Sequence, residues 1–219
     1  ECTGACCNYQ LAQDSWSFGF GFSYPRYFSS NLRPLEGNFG GYLSIQRDVT
    51  EHVAFRLKGY YQSLKGRIGG GMYKYTNGTV VPSEKEEVTT NVIAGNLDMV
   101  YSFVPCEKIV PYVFFGVGLA YSDPQWPDNV VNNSADAKTA FKWNSGIGAY
   151  WKASPDWRIT FDATYNTCTS QIEGVVNNNR AGIFGSNTTS YIALDLGAQY
   201  VFGKGAPSKM CQLYTGISV

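Results

Sequence analysis

The sequence is short of charge. Asp, Glu, Lys and Arg make up 16% of its 219 residues, against roughly 25% in an ordinary soluble domain. Seventeen basic residues balance seventeen acidic ones, so the chain as a whole has no electrostatic reason to seek nucleic acid, which argues against a polyanion-binding role. Histidine is nearly absent, with His52 alone. This removes most imidazole-based metal sites, and no C-x-x-C motif offers a thiolate alternative. It also removes the general base on which most membrane-barrel hydrolases depend. No run of about 18 apolar residues exists; the longest, Ile109 to Tyr121, is interrupted by Pro111, Gly116 and Gly118. A transmembrane helix is thereby excluded, but a transmembrane barrel is not, because its strands need only about ten alternating residues each. An initiator Met is missing too. The chain opens at Glu1-Cys2-Thr3 with no basic or apolar leader, and a removed secretory signal is expected.

Aromatic residues are abundant, at 16% of the chain, and so is glycine, with 24 residues. Eight segments alternate with period two, the signature of strands: 15–24, 38–47, 52–62, 90–103, 109–121, 139–151, 157–167 and 191–202. The gaps between them run long, short, long, short, long, short, long. In an up-and-down meander this places every long loop at one end of a barrel and every short turn at the other, the asymmetry of an outer-membrane barrel. An even strand number then puts both termini at the short-turn, periplasmic end. The expected fold is therefore all-β, an eight-stranded antiparallel up-and-down transmembrane barrel. Residues 14–203 form the barrel, residues 1–13 a Cys-rich periplasmic N-terminal segment, and residues 204–219 a periplasmic C-terminal tail.

The two faces differ chemically. One carries large apolar groups from every strand, including Phe18, Phe20, Phe22, Leu43, Leu57, Leu97, Phe115, Ile147, Phe161 and Leu196, with Arg47 the only charge. Trp16, Tyr24, Tyr61, Tyr101, Trp151, Trp157, Tyr165, Tyr200 and Phe202 cluster toward strand ends, as interfacial girdles do. The other face holds small and polar residues such as Ser17, Gly19, Gly21, Tyr42, Gln46, Asn96, Asn144 and Thr164. It also holds Arg56, Lys58, Lys142 and Arg158 against Asp98, Asp162 and Asp195. A soluble barrel with an apolar lumen would reverse these faces. Here the polar face is too poor in Lys and Glu for a solvated exterior. An eight-stranded lumen is also too narrow for so many large apolar side chains. The apolar face is expected outward, in lipid.

The segments 111–121 (PYVFFGVGLAY), 156–165 (DWRITFDATY) and 192–202 (IALDLGAQYVF) resemble the transmembrane domain of the outer membrane protein A family. The resemblance spans about residues 14 to 203 and implies the eight-stranded barrel, embedded in the outer membrane of a Gram-negative-type bacterium. It implies no single function, because this architecture hosts adhesins, enzymes, pores and anchors. Family members often continue into a peptidoglycan-binding domain. Only Gly203 to Val219 follow the last strand here, so that role is not carried over. The N-terminal ECTGACCNYQ also departs from the family pattern.

Catalysis is not expected. His52 sits beside the short turn Asp48 to Glu51, where a solvated cluster is the plain reading, and Gly69-Gly70-Gly71 lacks the Lys-Ser/Thr of a phosphate loop. No cofactor and no metal are implied. The charges Arg56, Lys58, Asp98, Lys142, Arg158, Asp162 and Asp195 read either as a narrow ion path or as a salt-bridge plug, and eight strands favour the plug. Cys2, Cys6, Cys7, Cys106 and Cys211 fall at the periplasmic rim, with Cys168 at the opposite end, too far to bridge to them. Five cysteines are an odd set, which suggests a bond to another chain or a spare thiol. The expected role is an anchor or accessory subunit whose periplasmic rim docks a partner, with a disulfide link to it as one form of that docking. A small-solute pore and a surface adhesin or receptor using the long loops are the alternatives.

Overall fold

A strand that is apolar on one face and polar on the other can cross a bilayer only where every backbone group is paired, which requires a closed sheet. The computed structural model describes residues 14–30, 32–68, 73–76, 79–82, 87–125, 137–170, 172 and 188–203, and these residues close such a sheet. The strands are β1 (Ser15–Ser29), β2 (Leu32–Pro34), β3 (Phe39–Asp48), β4 (Val53–Ile68), β5 (Tyr73–Thr76), β6 (Thr79–Pro82), β7 (Glu87–Ser102), β8 (Ile109–Gln125), β9 (Lys138–Lys152), β10 (Trp157–Cys168) and β11 (Thr189–Phe202). Eight of them, β1, β3, β4 and β7 to β11, pair antiparallel in sequence order, and β11 returns to β1. Short β2 pairs with β4 beyond the end of β3, and β5 and β6 form a separate hairpin.

Three tight turns mark one end. Val49 and Thr50 donate their backbone N–H to Val53, and Ala153 and Ser154 donate theirs to Trp157. The Ser154 hydroxyl accepts from the N–H of Trp157. Asp14 and Gly203 lie at this same end, because Trp16 pairs with Phe202. Arg47, an outward charge at this end, meets Asp14 at 2.6 Å and lies over the Trp16 ring.

The strands run further toward the long-loop end than alternation suggests. β1 continues to Ser29, β4 to Ile68 and β8 to Gln125, while β7 begins at Glu87 and β11 at Thr189. Beyond the aromatic girdle the outer face no longer meets hydrocarbon. The apolar signal therefore fades while backbone pairing continues.

The large apolar side chains face outward. Phe22 is 80% exposed, and Leu43, Leu57, Ile93, Leu119 and Ile147 are all more than half exposed. A soluble fold would bury such groups at about 25 cal/mol per Å² of apolar surface; here lipid replaces the missing core. The lumen is filled by side chains of the opposite parity. Inward glycines make room for rings: a Cβ at Gly21 or Gly197, cross-strand partners, would run into Tyr42, and one at Gly148 into Tyr112. Gly197→Val is accordingly expected to lower stability by about 1–3 kcal/mol through overpacking. An unchanged urea midpoint for the variant in lipid vesicles would show that Tyr42 is not wedged.

Candidate functional site: the barrel lumen

The lumen holds its charges in two groups. The first sits near the short turns. Asp48, the last residue of β3, accepts hydrogen bonds from Ser15 Oγ (3.1 Å), Gln46 Nε2 (2.7 Å) and Arg158 Nη2 (2.9 Å). Tyr150 donates to Gln46 Oε1 at 2.9 Å, and the Arg158 guanidinium lies over the Tyr150 ring. Lys152 donates to the backbone oxygen of Pro105 at 2.6 Å.

The second group occupies mid-height. Arg56 stands directly opposite Asp98 in the register and pairs with it at 3.2 Å. It also reaches Asp162 at 3.1 Å. Asp162 and Asp195 are themselves cross-strand partners, an arrangement of like charges that is destabilising by itself. Lys58 resolves the conflict from the far wall, with its Nζ 2.8 Å from Asp162 and 2.7 Å from Asp195. Tyr112 donates to Asp162, Tyr60 to Asp195, and Asn144 Nδ2 to Asp98. The cations also lie over rings: Arg56 over Phe114 at 4.7 Å, and Lys58 over Tyr42 at 4.0 Å. Burial of these charges is sustainable because each is paired and hydrogen-bonded.

Lys142 lies nearer the long-loop end, apart from the carboxylates. Its Nζ donates to Tyr191 at 3.2 Å and faces the rings of Tyr60 and Tyr191. Two apolar clusters flank the charges. Toward the long loops, Tyr27, Leu32, Leu64, Val88, Val92 and Ile172 are buried together. Toward the short turns, Ala54, Val100, Val110 and Phe114 pack with Tyr112 and Tyr150.

Of the seven lumen charges singled out in the sequence, the structure joins Arg56, Lys58, Asp98, Asp162 and Asp195. It places Arg158 with Asp48 and Lys142 with Tyr191. Asp48, taken from the sequence as part of a solvated turn, is 4% exposed. It is the last residue of β3 and has inward parity, which the turn-like run Asp48 to Glu51 obscures. Lys152 was missed for the same reason at the end of β9. The inward tyrosines Tyr60, Tyr112, Tyr150 and Tyr191 were legible from parity, though aromatic residues were read mainly as outer-face groups. His52 has a local role: its Nδ1 lies 2.6 Å from the Ser102 oxygen and its ring stacks on Tyr101. Cys106, in the turn between β7 and β8, is disulfide-bonded. Cys168 is buried at the other end of the barrel, opposite Thr189 and Lys142. Cys2, Cys6, Cys7 and Cys211, with the segments 1–13 and 204–219, lie outside the described residues.

A closed eight-stranded antiparallel barrel with an apolar exterior, aromatic strand ends and a polar, charge-paired interior defines the class: an eight-stranded transmembrane β-barrel of outer-membrane type. No protein-family model matches the chain, and no curated protein does. Solved structures share the fold. The chain is similar to Neisserial surface protein A (NspA), with a TM-score of 0.54 at 13% identity, covering 85% of this chain and 97% of that one. It is also similar to the outer membrane protein OprG from Pseudomonas aeruginosa, with a TM-score of 0.55 at 10% identity, covering 90% and 99%. The architecture is that of the eight-stranded barrels to which the outer membrane protein A family belongs.

Proposed function

We propose that this protein is a non-catalytic anchoring component of a bacterial outer membrane. In this reading the short turns and both termini face the periplasm, and that rim docks a partner. The observation that supports it best is the lumen. Charges paired wall to wall between two apolar clusters make a strut rather than a path, since a solute would have to displace Leu64 and Val92 at one end and Phe114 at the other. The one imidazole of the chain, His52, is engaged with the Ser102 carbonyl and the Tyr101 ring, which supports the non-catalytic reading. At the rim, the disulfide at Cys106 favours a fastened docking surface, with Cys2, Cys6, Cys7 and Cys211 as the other cysteines assigned to it. The lipid bilayer is the first partner and a periplasmic or membrane protein the second, with no nucleic acid.

Two measurements test this reading. In planar bilayers the full chain is expected to give no discrete conductance steps at neutral pH, and stepwise conductance would make the pore the better reading. Non-reducing electrophoresis of protein from native membranes, with mass-spectrometric mapping of its bridges, is expected to show an intermolecular disulfide at the rim. A lone monomer with an inert spare thiol would reduce the cysteines to a staple for the tails.

A further inference from the structure

Charge on the outward face is concentrated at two places. At the short-turn end Arg47 is matched by Asp14. At the long-loop end the cations outnumber the acids on one sector. Ser23, Gly40 and Gln62 share a row across β1, β3 and β4. Three residues further along come Arg26 on β1 and Lys65 on β4, and five further along comes Arg67. β3 does not extend that far. β2 takes its place and sets Arg33 directly opposite Arg67. Arg26, Arg33 and Arg67 are exposed and Lys65 is half-buried. The acids nearby are Glu87, held by Arg67 at 3.3 Å, and exposed Glu36. Arg26 and Arg33 have no ion pair or side-chain hydrogen bond among the described residues. Across the barrel, the described rim of β8 and β9 carries one charge of each sign, Asp123 and Lys138.

Two features give this patch a ligand chemistry. Arg67 already has Glu87, so the arginines of the patch without a counter-charge among the described residues are Arg26 and Arg33. Arg33 also faces Arg67 across paired strands, where like charges repel and an anion beside Arg33 relieves the repulsion. Immediately beneath lie exposed Tyr24, Phe39 and Tyr61, the aromatic girdle that marks the headgroup level. Guanidinium groups at that depth meet lipid phosphates, which they bind through two parallel N–H···O bonds. We infer that Arg26, Arg33, Lys65 and Arg67 form a binding patch for the phosphates of a membrane lipid at the long-loop end. Placing that lipid in the outer leaflet, as a phosphorylated glycolipid, rests on the orientation proposed above.

The test uses the full chain in phosphatidylcholine nanodiscs containing a small fraction of diphosphoryl lipid A, with retained lipid read by native mass spectrometry. The wild type is expected to retain lipid A. The double variant Arg26→Gln/Arg33→Gln is expected to bind it roughly 10- to 25-fold more weakly, about fivefold per arginine. Lys138→Gln, on the opposite sector, is expected to leave retention unchanged, and both variants should keep the heat-modifiable gel mobility of a folded barrel. Equal retention by the double variant would overturn the proposal. So would equal retention of lipid A stripped of its phosphates. Displacement of lipid A by inorganic phosphate at equal concentration would show a site for the free anion and overturn the lipid assignment. Protease treatment of intact cells reads orientation separately. Protection of the long loops would overturn the outer-leaflet assignment while leaving phosphate binding to stand on the nanodisc result.

Discussion

Asp162→Ala is expected to destabilise the folded barrel by about 3–5 kcal/mol, the range for breaking a buried ion pair from one side. Asp162 is the hub of the mid-height group. It is 1% exposed and accepts from Arg56, Lys58 and Tyr112, which belong to β4 and β8. Without it, Lys58 keeps only Asp195 and Arg56 only Asp98, so that four ion pairs become two around two cations that remain buried. Desolvated charge, rather than lost packing, dominates the penalty. Asp162→Asn, which preserves the volume, is therefore expected to recover little of it. Removing the whole group together, as in Arg56→Met/Lys58→Met/Asp98→Leu/Asp162→Leu/Asp195→Leu, should cost less than Asp162→Ala alone, because none of its charges is then stranded without a partner. Urea unfolding in lipid vesicles, followed by tryptophan fluorescence, reads all three. A wild-type midpoint for Asp162→Ala would mean that the lumen charges are solvated rather than structural.

Leu196→Arg is expected to lower stability in the bilayer by about 2–4 kcal/mol, the range for a cation facing lipid near the midplane. Leu196 points outward and is 56% exposed. It shares its row with Phe22 on β1 and Phe161 on β10, inside the band between the Tyr24 and Tyr200 levels, two residues from the first and four from the second. An arginine there must snorkel half the thickness of the hydrocarbon or draw water into it. At Phe202, at the rim, the same change should cost no more than about 1 kcal/mol. This depth dependence distinguishes lipid contact from a general intolerance of charge. Equal effects at the two positions would show that the apolar face is covered by something other than a bilayer.

Much of this was legible in the sequence because alternation is local. Whether Phe18 and Phe20 share a face opposite Gly19 and Gly21 depends only on the two-residue repeat of a strand. Eight such runs separated by gaps of alternating length determine the strand count, the lipid-facing set and the end that carries the long loops. The inward parity of Arg56, Lys58, Asp98, Lys142, Arg158, Asp162 and Asp195 follows from the same repeat.

Which charge meets which was decided by closure. Arg158 and Asp48 are 110 residues apart, and Lys58 and Asp195 are 137 apart. They meet across a lumen whose stagger is set by the pairing of β11 with β1, which no local pattern encodes. Asp48 read as a turn residue because short-range chemistry marks turns, yet one more backbone pair, Asp48 with Ala54, keeps it in the wall facing Arg158. The Arg33–Arg67 pair arises in the same way, from a three-residue strand lying where β3 has ended. Periodicity determines what faces inward or outward, while partners across the barrel are determined by the ring of backbone hydrogen bonds that brings distant strands to a common level.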